Sequence, residues 1–362
     1  MDSPALVVFF GGAGETPVEA MVDRARLAAS LDAIDAALSS EAIGRAILVT
    51  DDPALEIDVP GVEVDCSTGV YQFGGRLAEV IRSNALGSLV YMGGGSVPLF
   101  SAEDFDDVVS RLEAGVAVTN NHYSSDLIAF PVTDTELAAV EAVERDNALA
   151  RALTEAGLTV ESLPRTVVTQ MDIDSPSDLL VLSVTGGCGL RLQAYLDGLG
   201  LDTSRYQRTL PLFTDRRAQV LVAGRVGSHA WVYLERETAC RVRLFAEERG
   251  MEADGRAESA RSLLGYYLES AGTERFFETL AELGEAAFLD TRVLLAHKRI
   301  AASREDRFLS DLGDWQGISD PFLLEFTRAA CEVAVPVLLG GHSLMSGGLM
   351  ALNEHAWALS ER

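Results

Sequence analysis

The residues with the most chemistry to offer fall in a few short segments. Asp172 and Asp174 are two apart, so in an extended backbone both carboxylates point to one side. That pattern suits one divalent cation with oxygen ligands. The structural alternative is that Asp174 or Ser175 only caps a helix beginning at Pro176. Gly93-Gly94-Gly95-Ser96 is a second segment. Three glycines at a strand end permit close backbone approach to a ligand, or simply a bent loop. Gly11-Gly12-Ala13-Gly14 is a third. It reads as an anion cradle at a helix N-terminus or as a tight strand-to-helix turn. Glu15 and Glu19 would repel a phosphate there, so contact with a base or ribose survives better. Asn120, in Asn120-Asn121-His122, ends a strand candidate and is placed to line a cleft. Asp51-Asp52 before Pro53 reads as turn chemistry, with ligand contact as an alternative. His342-Ser343, between Gly340-Gly341 and Ser346-Gly347-Gly348, reads as a backbone-lined ligand patch or as a tight helix contact needing small residues. Adjacent residues rarely form a working dyad, and no Gly-x-Ser-x-Gly elbow surrounds Ser343.

The elements that must position these residues follow from periodicity. Ala5–Phe10 is a continuous apolar run, as expected of a strand buried on both faces. Thr16, Pro17 and Glu19 then start a helix reaching about Leu38. Ala46–Thr50, Val62–Val64, Leu89–Met92, Val116–Val118, Asp126–Phe130 and Arg165–Val168 read as strands. Gly74–Asn84, Ala102–Ala114 and Thr133–Ala156 read as helices, and another begins at Ser175-Pro176. This alternation predicts an α/β fold with a Rossmann-like, mostly parallel sheet over residues 1–185. In such sheets ligands sit beyond the carboxyl ends of the strands, where the glycine segments and acidic pairs fall.

The order of these segments resembles the nucleotidyltransferases of the GT-A type, especially the molybdenum-cofactor and phospholactate guanylyltransferases, over about half the chain. The resemblance rests on the Gly11–Gly14 turn, on Tyr91–Leu99 ending in Pro98-Leu99, and on Asp172-Ile173-Asp174-Ser175-Pro176-Ser177-Asp178-Leu179. Asp146-Asn147-Ala148-Leu149, Gly157 and Leu163-Pro164 fit the phospholactate branch. It implies a nucleoside triphosphate as substrate and a small phosphorylated acceptor. It also implies Mg2+ held by Asp172 and Asp174 as catalytic residues, and ligand contacts from Gly11, Gly12, Gly14, Gly93, Gly94, Gly95, Ser96 and Asn120. Ser96 stands where those enzymes carry a metal-binding Asp. Two functions therefore stand side by side: a nucleotidyltransferase, and a non-catalytic protein that binds a nucleotide or sugar nucleotide.

Composition narrows the partners. The chain has 362 residues and a formal net charge of −26, which opposes nucleic acid. Lys298 is its only lysine. Cys66, Cys188, Cys240 and Cys331 are too scattered for a zinc site. No segment approaches a membrane span, so a cytoplasmic, soluble protein, open to homo-oligomerisation, is expected. Gly186-Gly187-Cys188-Gly189 suggests a domain boundary. Residues 186–362 then read as a mainly helical domain, with Leu190–Leu199, Ala230–Arg249, Ala257–Glu269, Arg275–Leu283 and Pro321–Val335 spaced as a bundle. Here His342 and Ser343 are the candidate ligand residues.

Overall fold

The computed structural model describes residues 3–361 apart from Ala13, Glu56, Asp58, Val70, Ala114, 248–255 and 257–258. The chain forms two compact units, each assembled from separate stretches. The first comprises Met1–Ala13, Asp23–Gln170 and Cys188–Ala194; the second comprises Gly14–Val22, Met171–Gly187 and Tyr195–Arg362.

The first unit is an α/β structure. Its strands are β1 (Ala5–Phe9), β2 (Arg45–Thr50), β3 (Val62–Cys66), β4 (Ser88–Gly93), β5 (Ala117–Thr119), β6 (Leu127–Pro131) and β7 (Val160–Ser162). They form one seven-stranded sheet in the order β3-β2-β1-β4-β6-β5-β7. β1 runs parallel to β2 and β4, whereas β6 is antiparallel to β4 and β5. Every residue of β1 is buried, which is why the run Ala5–Phe9 shows no polar alternation. Its side chains alternate between two cores. Val7 and Phe9 pack with Phe73, Leu77 and Tyr91 on one face. Leu6 and Val8 pack with Ile34, Phe105 and Val108 on the other. The order of strands reverses at β1, and that opens a crevice between the carboxyl ends of β1 and β4.

Two local expectations fail, each for a stated reason. The single helix expected over Thr133–Ala156 is broken into Asp134–Glu141, a 3-10 turn at Asp146–Ala148 and Leu149–Glu155. The Val143 carbonyl at the break accepts the Gly74 N–H at 3.0 Å and the Gln72 side-chain amide at 2.9 Å. Tertiary donors thus replace the helical one. The strand expected at Arg165–Val168 is a helical turn, Val167–Gln170, preceded by strand β7. Thr169 bonds the Pro164 carbonyl at 2.7 Å and closes that turn.

The second unit is dominated by helices, as expected, yet it is no bundle. β8 (Gln219–Gly224), β9 (Arg241–Ala246), β10 (Ala286–Asp290) and β11 (Val337–Gly340) make a four-stranded sheet ordered β11-β10-β8-β9. All its pairings are parallel. The helix expected at Ala230–Arg249 is the helix Ser228–Glu237 followed by β9. The short apolar runs that became β8 and β10 could not be told from buried helix by period alone. Leu221, Phe288, Leu289, Leu339 and their neighbours are buried, and Phe276, Phe277 and Phe326 pack on this core. Among the described residues no single helix is long and apolar enough to cross a membrane.

Candidate functional site

In the first unit the crevice at the carboxyl ends of β1, β2 and β4 is a cleft of about 410 Å3. Gly11 and Gly12 from the end of β1 and Gly93 and Gly94 from the end of β4 form its backbone walls. Thus four of the glycines singled out in the sequence come together at one place. Phe10, Tyr71 and Tyr91 give the cleft aromatic surface, and Arg26, Arg76, Asp51 and Asp146 give it charge.

The charged groups have assigned tasks within the fold. Arg26 donates from Nε to the Gly94 carbonyl at 2.9 Å, and its guanidinium pairs with Asp23 at 3.5 Å. Arg76 pairs with Asp65 and Glu79. Asp51 accepts the Gly12 N–H at 3.1 Å. Asp146 accepts the Tyr91 hydroxyl at 3.3 Å and the Asn147 N–H at 2.8 Å. Burial, then the Asp146 carboxylate, pushes the Tyr91 phenol well above its ordinary range. Partial desolvation, then Asp146 and Asp51, pushes the Tyr71 phenol up to about 12. Both tyrosines are therefore neutral hydrogen-bonding groups at any physiological pH. Tyr71 is 65% exposed, and so offers its ring to an incoming planar ligand.

The β4 end is shaped by contact. The Gly94 N–H donates to the Phe9 carbonyl at 2.7 Å. A methyl group placed on Gly94 would lie 2.9 Å from the Phe10 ring and 3.1 Å from the Phe9 carbonyl oxygen. The Gly94→Ala variant is expected to lose about 1–3 kcal/mol of stability through overpacking. Urea unfolding compared with the wild type measures this.

The remaining expected site residues are not among those that line the cleft. Gly95 has φ +89° and packs on Arg26. Ser96 is only 4% exposed and its N–H donates to the Gly93 carbonyl. Asn120 is buried; its side chain accepts the Leu127 N–H at 3.0 Å and reaches the Thr169 carbonyl at 3.4 Å. It joins strand ends, and it does not line the cleft. Gly14 belongs to the second unit. There Thr16 accepts the Glu19 N–H, and the Glu19 carboxylate turns back onto the Glu15 N–H, one residue earlier than a capping box requires.

Asp172, Asp174, His342 and Ser343 also belong to the second unit. The Ser343 hydroxyl donates to the Asp172 carbonyl at 3.0 Å, so the structure brings those two segments together. Asp172 accepts the Ile173 N–H at 2.9 Å. Asp174 is exposed, and its N–H donates to Asp178 at 3.0 Å. Asp178, at the third position of the helix Pro176–Thr185, completes a capping box with Ser175. Burial, then the Asp174 charge, raises its carboxyl to about 7. Among the described residues no group of three or more His, Cys, Asp or Glu is placed to hold a metal ion. At the carboxyl ends of the second sheet Arg225 pairs with buried Asp290 and Arg292 with buried Asp311. His229 lies 2.9 Å from Ser346, which sits in a π-helical turn, Leu344–Gly348.

No family model matches this chain. No curated protein matches it either. Solved structures resemble it over about half its length. A protein of Desulfovibrio desulfuricans G20 described as a nucleotide-diphospho-sugar transferase is 16% identical over 55% of this chain and 95% of its own, with a TM-score of 0.42. A 4-diphosphocytidyl-2C-methyl-D-erythritol synthase of Anaerococcus prevotii is 16% identical over 44% of this chain and 85% of its own, at 0.34. A cytidylyltransferase of Leptospira borgpetersenii is 12% identical over 54% of this chain and 91% of its own, at 0.35.

Asp51 and Asp146 line the cleft without being among the site residues expected from the sequence. Asp51 carried a usable signal: it directly follows a buried strand, where ligand residues of parallel sheets gather. Asp146 was hidden inside a segment read as continuous helix.

Proposed function

We propose that the first unit binds a nucleotide in the cleft between β1 and β4, and that it serves transfer of a nucleoside monophosphate from a triphosphate to a small phosphorylated acceptor. The observation that carries this reading is the cleft itself. It lies at the strand-order reversal of a mostly parallel sheet, walled by Gly11-Gly12 and Gly93-Gly94. Its volume falls in the range of small-molecule sites. Tyr71 offers a stacking face to a base.

Mg2+ would enter as its complex with the triphosphate, since magnesium sites of this type combine one or two carboxylates with substrate phosphates. Of the carboxylates lining the cleft, Asp146 would hold the metal. The metal would offset the negative charge that builds on the phosphates during attack. Asp172 and Asp174, the carboxylates expected from the sequence to hold Mg2+, are not among the residues lining the cleft.

Two observations favour a second reading, in which the cleft binds a nucleotide or sugar nucleotide without catalysis. Beyond the end of β4 the chain carries a buried serine, Ser96, and no carboxylate. In the first turn the Gly12 N–H is already satisfied by Asp51. One experiment separates the two. The protein is incubated with each NTP, Mg2+ and a panel of phosphorylated sugars and alcohols, and pyrophosphate release is followed alongside nucleotide binding by calorimetry. Metal-dependent release is the expected result. Binding without release establishes the second reading, and absence of binding removes both.

A further inference from the structure

Building on the nucleotide reading, we infer that Asp51 is a ribose-binding residue that makes the cleft discriminate ribonucleotides from 2′-deoxyribonucleotides. Asp51 immediately follows β2, the strand beside β1. Its backbone is fixed by the turn in which Thr50 accepts the Asp52 N–H at 3.1 Å and Asp52 accepts the Ala54 N–H at 2.9 Å. Its carboxylate closes over the Gly11-Gly12 turn. Oδ1 takes the Gly12 N–H at 3.1 Å. A methyl group on Gly11 would lie 2.9 Å from that oxygen, and Gly12 has φ +82°. Gly11 leaves the room that the carboxylate occupies, and Gly12 takes a left-handed conformation that glycine adopts without strain.

This arrangement sets what the β1–β2 end of the cleft can recognise. The Gly12 N–H, which would serve a phosphate oxygen, is satisfied by a carboxylate. The cleft's two arginines are engaged: Arg26 with the Gly94 carbonyl and Asp23, Arg76 with Asp65 and Glu79. Asp51 takes part in no ion pair among the described residues and is exposed. An ionised carboxylate accepts only, with lone pairs to spare on both oxygens. It repels phosphate and attracts neutral donors. A ribose offers two adjacent hydroxyl donors, a good match for one carboxylate.

The test titrates the full chain with ATP, GTP, CTP and UTP, and with their 2′-deoxy counterparts, by calorimetry in the presence of Mg2+. Loss of a hydrogen bond to a charged acceptor weakens binding by about tenfold to a hundredfold. The bound ribonucleotide is therefore expected to bind that much more tightly than its deoxy form. Asp51→Asn keeps an oxygen for the Gly12 N–H and is expected to bring the ratio near unity, chiefly by weakening the ribonucleotide. Equal affinities in the wild type overturn the inference while leaving the nucleotide reading standing. A ratio unchanged in Asp51→Asn also overturns it. Should that variant not fold, the wild-type ratio alone decides. Absence of binding by either sugar overturns the nucleotide reading, and this inference with it.

Discussion

The Arg292→Met variant is expected to unfold with about 3–5 kcal/mol less free energy than the wild type, the usual cost of breaking one half of a buried ion pair. Arg292 follows β10, and both of its terminal nitrogens reach Asp311. It also donates to the Thr291 hydroxyl at 2.8 Å. The Asp311 side chain has no solvent exposure and that of Arg292 only 16%. Removing the guanidinium leaves a carboxylate in the interior with its partner gone. The double variant Arg292→Met, Asp311→Leu removes both charges and is expected to recover much of the loss, because the desolvation penalty vanishes with the pair. Urea unfolding of the wild type, the single and the double variants measures this. A single-variant loss below about 1 kcal/mol would show that the pair is hydrated in solution.

The second large effect concerns pH. Asp178 is fully buried, and its carboxyl is raised from 3.8 to about 7, first by burial and then by the Asp174 charge. Between those two values the folded state keeps a proton that the unfolded state releases. The unfolded state is then favoured more with each step up in pH. Asp178 thus lowers stability as pH rises from about 4 to about 7, with a limiting slope of about 1.4 kcal/mol per pH unit. Above that range both states are ionised and the slope disappears. Asp178→Asn keeps an acceptor for the Asp174 and Ser175 N–H groups and cannot ionise. The wild type minus Asp178→Asn difference is therefore expected to fall from pH 4 to pH 7 and then level off. Denaturant titrations at half-unit steps measure it, and a flat difference would mean that Asp178 is ionised throughout.

The first unit was readable where the physics is local and repetitive. β1, β2 and β4 are continuous buried runs that end in glycine or acid, and their edges fell within a residue or so of expectation. The segment after Thr133 was not readable in this way. Its break depends on donors from Gly74 and Gln72, far away in sequence. In the second unit Gln219–Gly224 and Ala286–Asp290 are runs too short for period to separate strand from helix. Their parallel pairing is decided by partners more than sixty residues apart. Gly11, Gly12, Gly93 and Gly94, which line the cleft, stand out in the sequence because glycine marks close approach. Asp51 and Asp146 are ordinary turn residues until the sheet is assembled.

The margins of the two sheets have a consequence for how the chain survives its own synthesis. An open parallel sheet ends in strands with unpaired backbone groups, which are templates for joining another chain. β3 carries exposed Glu63, β7 exposed Glu161, and β9 exposed Arg241 and Arg243. β11 is buried at all four positions. The margins at β3, β7 and β9 therefore bear charged side chains that would have to be dehydrated before a second strand could dock. During folding, when the buried runs of β1 and β10 are still uncovered, such charges oppose the pairing of one chain with another at these three margins.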